Sequence, residues 1–182
     1  ILVFPDALLP YVATLTEGVT VPASLFPAGQ DMHHASLTPH QAQLLSHADL
    51  LIVPDAQTHP SLMRLAARNQ QLHVVALTDL RQAEPRPYSS NALLEQQDSS
   101  TMATDPHLWL DPQRMAAIAA PLAKIIAQKI PGNERKLAQN ADSLAHHLRT
   151  QLMPALKQVL KLTHPAPGNY ITYHPAYSYF LS

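Results

Sequence analysis

Cysteine is absent from this 182-residue chain, which excludes a disulfide framework, a thiolate zinc site and a cysteine nucleophile. Glycine is nearly as scarce. Its four copies, at 18, 29, 132 and 168, stand too far apart for a GxGxxG turn or a phosphate-cradling GxxxxGK loop, so nucleotide binding by those devices is excluded. Charged residues make up only 14% of the chain, and 12 basic against 13 acidic side chains leave a formal charge of −1. Such a balance gives no electrostatic grip on nucleic acid or anionic lipid. No apolar run approaches the roughly 18 residues that span a bilayer, so direct membrane insertion is not expected.

What the chain does have is a 46% hydrophobic content, 17 prolines and 11 histidines. The length and apolar fraction suffice for one large domain or two small ones with a real core. Short apolar runs bounded by turn residues, at 1–4, 19–26, 49–53 and 72–77, predict four strands, and the segments between them read as helices. This alternation predicts an α/β fold with a four-stranded, mainly parallel sheet flanked by helices. Helix starts are marked by Thr38 with Pro39 behind it, and by Pro60. Residues 79–105 are polar and irregular, and a loop of that length in a compact domain is usually functional or mobile.

Asp111-Pro112 then opens a long helix to about Ile130, with a kink or break expected at Pro121. Leu137, Leu144, Leu148, Leu152, Leu156 and Leu160 follow at nearly helical spacing, predicting a second long amphipathic helix to about residue 162, bent at Pro154. A last apolar strand is expected at 170–173. A lone strand after a helical hairpin has no sheet of its own to join, so the end reads as an interruption, and the opening on an apolar strand without a basic leader reads as a processed or trimmed chain.

Histidine carries the chemistry. His33, His107 and His174 each follow a predicted strand or sit in the loop beyond it, and in open α/β sheets such loops converge on one rim where ligands bind. Three neutral imidazoles and one oxygen would fill a tetrahedral zinc site without cysteine. Each histidine taken alone is more ordinarily a surface or satisfied polar residue.

Four segments make the joint case. Pro27-Ala28-Gly29-Gln30-Asp31-Met32-His33-His34-Ala35-Ser36-Leu37-Thr38-Pro39, Ser46-His47-Ala48-Asp49-Leu50-Leu51, Asp105-Pro106-His107-Leu108-Trp109-Leu110-Asp111-Pro112 and Ile171-Thr172-Tyr173-His174-Pro175-Ala176-Tyr177-Ser178-Tyr179-Phe180 appear in that order. Together they resemble the bacterial zinc and manganese solute-binding proteins of metal ABC importers, and the stretch around His107 is the most specific of them. The resemblance implies two α/β lobes joined by a long helix, with the metal held between the lobes. It therefore implies a metal-binding lobe over 1–110, a linking helix over 111–130, and at 131–182 the beginning of a second lobe that is largely missing. It also implies His33, His107 and His174 as ligands, a periplasmic or extracytoplasmic location, and an ABC permease in the membrane as partner. Histidine rather than glutamate at the third ligand place favours zinc over manganese, which prefers harder oxygen donors.

The chain departs from the family pattern in three places. The fourth, carboxylate ligand has no counterpart in these residues. Pro54-Asp55-Ala56-Gln57-Thr58-His59 stands where the family has Gly and Glu, and the loop before His107 lacks the histidines that many zinc members carry. Among the other histidines, His34 could exchange with His33, His59 lies on the same rim, where it could serve as an extra ligand but is expected at the surface, and His146 and His147 are expected on a helix surface. Trp109 is expected to pack in the core, and Asp105 and Asp111 to form turns or helix caps before their prolines. Two rival functions share the ligand set. A zinc-dependent hydrolase would use three histidines and an open position, but no general base is evident. An adhesin on the same scaffold would use the metal only to staple its lobes.

Overall fold

The computed structural model describes residues 1–29, 36–87, 104–163, 176, 178 and 179. His33, His34, His174 and the strand expected at 170–173 lie outside them.

Four strands, β1 (Leu2–Val3), β2 (Ala23–Ser24), β3 (Leu50–Val53) and β4 (His73–Ala76), form a sheet in the order β2-β1-β3-β4. All three pairings are parallel, with Val3 opposite Ser24 and Ile52, and Ile52 opposite Val75. A parallel sheet must be covered on both faces, and the sequence supplies this by filling β3 with Leu50-Leu51-Ile52-Val53, every residue of it buried. Alternate residues then feed two apolar layers. Val3, Leu50, Ile52 and Val75 face one, and Leu2, Leu51, Val53 and Ala76 the other.

The second layer is closed by α2 (Pro39–Ser46) and α3 (Pro60–Ala66), through Leu45, Leu62 and Ala66. Thr38 and Gln41 form a capping box at the start of α2, where the Gln41 side chain accepts the Thr38 backbone N–H at 3.2 Å. That arrangement satisfies donors a helix end otherwise leaves bare. The first layer is closed by α1 (Leu9–Leu15), α4 (Pro112–Lys129) and α5 (Glu134–His147). Asp111 caps α4 by accepting the Gln113 N–H at 2.8 Å, as expected of it. Asn140 on α5 donates to the Leu15 and Glu17 carbonyls at 3.0 and 2.9 Å, so α5 joins the same core as the sheet.

Several expectations change. The run at 19–26 gives only the two-residue β2, because Val19 to Pro22 leads up to the sheet without pairing. No break occurs at Pro121; α4 runs unbroken through it over its full 18 residues, Pro112–Lys129, with Ile118, Leu122 and Ile126 fully buried. The helix expected from 134 to 162 is divided by a π-helical turn at Leu148–Leu152, after which α6 runs over Met153–Thr163. Pro154 explains the division, since it lacks the N–H that would continue an α-helical ladder and its ring crowds the preceding turn.

Candidate metal site

Parallel strands place all their carboxyl ends on one rim, and the segments leaving β1 to β4 there are tied to one another. After β1, the Asp6 carboxylate accepts the Gly29 N–H at 2.9 Å. Gly29 follows β2 with φ +79°, a left-handed conformation suited to glycine, and only Gln30 to Met32 separate it from His33. After β3, Asp55 accepts the Gln57 and Thr58 N–H groups at 2.6 and 3.1 Å, and the Thr78 hydroxyl beyond β4 at 3.1 Å. His59 also leaves β3. Contrary to expectation it is buried, standing edge-on to Phe4 with ring centroids 4.8 Å apart. The sheet order changes direction between β1 and β3, so the residues following those strands meet, and Phe4 supplies an apolar wall there.

His107 opens a 3-10 turn, His107–Leu110, between the long loop and α4. Leu108 is fully buried beneath it, and Trp109 touches both apolar layers while its ring lies 5.2 Å from the His107 ring. The turn is thus anchored as the Leu-Trp-Leu run suggests. His107 itself is only 2% exposed, and a buried imidazole needs hydrogen-bond partners. Asp105 provides them, its Oδ1 accepting the His107 backbone N–H at 2.9 Å and the ring Nδ1–H at 2.8 Å. With Nδ1 committed to a carboxylate, the ring atom able to ligate a metal is Nε2, and the carboxylate strengthens it as a donor.

Asp105 is 1% exposed. Burial pushes its carboxyl up, but the hydrogen bonds from the His107 ring, Ser178 and the His107 amide outweigh burial and hold it below the usual carboxylate value. The Asp105 N–H donates to the Arg86 carbonyl at 2.9 Å, and the Asp105 carbonyl accepts the Tyr179 hydroxyl at 2.8 Å. The Tyr179 oxygen also accepts the Arg86 N–H at 3.0 Å. Arg114 of α4 lies over the Tyr179 ring at 4.8 Å and donates to the Ala83 carbonyl at 2.6 Å. Ser178 and Tyr179, which come soon after His174 in the sequence, are thereby fastened beside His107.

Of the three predicted ligands, His107 is the one among the described residues, and no group of three metal-ligating side chains occurs among them. His146 and His147 are exposed on α5, as expected. Sequence reasoning placed Asp105 in a turn and missed its grip on the His107 ring. The signal was present in Asp-Pro-His, since a carboxylate two residues before a turn amide naturally reaches forward to it, which brings it beside the His107 ring.

The described residues thus combine a parallel α/β lobe with a buried, carboxylate-held histidine just before α4, and the class of protein they belong to is that of periplasmic metal-uptake components. The chain belongs to the family described as zinc-uptake complex component A, periplasmic (ZnuA), whose model matches residues 11–182. It is similar to the high-affinity zinc uptake system protein ZnuA of Paracoccus denitrificans (strain Pd 1222), with 31% identity over 87% of this chain and 56% of that protein. Its similarity to the protein of the same description from Yersinia pestis is 24% over 92% of this chain and 57% of that one. The chain thus spans about half the length of the curated relatives it matches. A crystal structure of a zinc-bound ZnuA deletion mutant superposes with a TM-score of 0.80 at 24% identity, covering 98% of this chain and 64% of that one. A manganese-bound periplasmic metal-binding protein from Candidatus Liberibacter asiaticus gives 0.71 at 17%, over 88% and 56%. At these identities the two structures establish the fold. No helix among the described residues is long and apolar enough to cross a membrane.

Proposed function

We propose that this chain is the metal-binding part of an extracytoplasmic receptor that captures zinc and delivers it to an ABC-type permease. Residues 1–110 are the metal-binding lobe in this reading, 111–130 the link and 131–182 the beginning of the second lobe, whose first helix, α5, also packs on the core of the first. His33, His107 and His174 are the ligands. The observation that carries the reading is the buried His107, held through Nδ1 by Asp105 within a chain of the zinc-uptake family. Nitrogen donors of this kind suit zinc better than manganese. No reaction is performed on the metal; it is cargo, and the site need only bind and release it.

Replacing His33, His107 and His174 together by Ala in the full-length protein tests this. Tight zinc binding, followed by chelator competition, is expected to be lost, and a strain carrying the variant should grow poorly in chelated medium and recover with added zinc. Unchanged binding would reject the ligand set, and unchanged growth would reject the transport role.

A further inference from the structure

Asp105 engages every polar atom it has. Its N–H goes to Arg86 and its carbonyl takes the Tyr179 hydroxyl. Oδ1 takes two donors from His107, and Oδ2 takes the Ser178 hydroxyl. Three stretches distant in sequence therefore meet on one buried residue. One includes His107, and another lies four residues beyond His174. A turn-forming aspartate would need only the contact to the His107 amide. The contact to the ring fixes something more, because a neutral imidazole can carry its proton on either nitrogen and can rotate about two side-chain bonds.

We propose that Asp105 is a positioning residue of the metal site, which holds the His107 ring in its Nδ1–H form with Nε2 toward the metal and couples that orientation to the docking of Ser178. The inference rests on His107 being a ligand. By fixing the tautomer before the metal arrives, Asp105 removes the need to select it on binding and makes Nε2 a stronger donor. Through Oδ2 the same carboxylate senses whether the segment after His174 is in place. Loss of Ser178 then reaches the metal site even though Ser178 lies outside the ligand set.

The test uses the full-length protein with zinc alone as the probe. Asp105→Ala is expected to weaken zinc affinity by roughly 10- to 100-fold, and Ser178→Ala to weaken it by a smaller factor. Nitrogen-15 NMR of the metal-free protein should find His107 in the Nδ1–H form, and a mixture of tautomers in Asp105→Ala. Asp105→Asn keeps the shape without the charge. It should retain the tautomer and lose part of the affinity, and it decides the matter if the alanine variant does not fold. Wild-type affinity in both Asp105 variants, or an unchanged tautomer in Asp105→Ala, would overturn the positioning role. Wild-type affinity in Ser178→Ala would overturn the coupling. His107→Ala separates the two levels: if it binds zinc as well as wild type, the ligand reading itself fails, whereas if it alone loses affinity, only the role of Asp105 fails.

Discussion

The Tyr179 hydroxyl donates to the Asp105 carbonyl at 2.8 Å across 74 residues of chain, in a buried position. The same oxygen accepts the Arg86 N–H at 3.0 Å, so one side chain satisfies backbone groups at two points of the long loop. Tyr179 is 2% exposed, and water has little access to replace it.

Tyr179→Phe should accordingly lower stability by about 1–3 kcal/mol, since it preserves the ring and leaves a buried carbonyl and a half-buried amide without this partner. The midpoint of urea unfolding should fall while the slope stays the same. A midpoint equal to that of the wild type would show that the two hydrogen bonds contribute nothing.

Asn140→Ala should cost a similar amount, about 1–3 kcal/mol. Its amide joins α5 to the end of α1 at the Leu15 and Glu17 carbonyls, groups that no further helical turn can satisfy. Amide hydrogen exchange should accelerate at the end of α1 as well as in α5. Acceleration confined to α5 would mean that α1 does not depend on this cap.

Tyr11 governs the alkaline side of the stability curve. Its hydroxyl donates to the Met115 carbonyl at 2.7 Å, joining α1 to α4, and burial pushes its ionisation above the ordinary tyrosine value. An unfolded tyrosine ionises at about 10, whereas the folded one resists ionisation. The contribution of Tyr11 is therefore fully present below about pH 10 and declines as pH rises above that value. Tyr11→Phe should be less stable than wild type at pH 8 and should lose less stability than wild type between pH 9 and 11, a window around that unfolded value. Parallel pH curves for the two proteins would contradict this.

The sheet was legible because its strands are continuous apolar runs between turn residues. Leu50-Leu51-Ile52-Val53 permits no other reading once helices precede and follow it. The start of α2 was legible in Thr38 and Pro39, and the cap of α4 in Asp111. Less legible was anything decided by distant partners. Pro121 should interrupt α4, yet burial of Ile118, Leu122 and Ile126 against the core holds the helix together. His59 looks polar and exposed in a loop sequence, but the parallel order of β1 and β3 brings Phe4 against it. At the candidate site, the motif around His107 indicated the ligand, and Asp105 could be read as a turn residue. That Asp105 also receives Ser178 and Tyr179 depends on contacts across more than 70 residues, which no local pattern encodes.

X-ray absorption at the zinc edge of the loaded, full-length protein measures most directly whether the metal is held by imidazole nitrogens. Nitrogen and oxygen ligands at ~2.0–2.1 Å with the outer-shell scattering of about three imidazoles are expected, lost when His33, His107 and His174 are replaced together. A spectrum without imidazole scattering, or one unchanged by those three replacements, would contradict this ligand set.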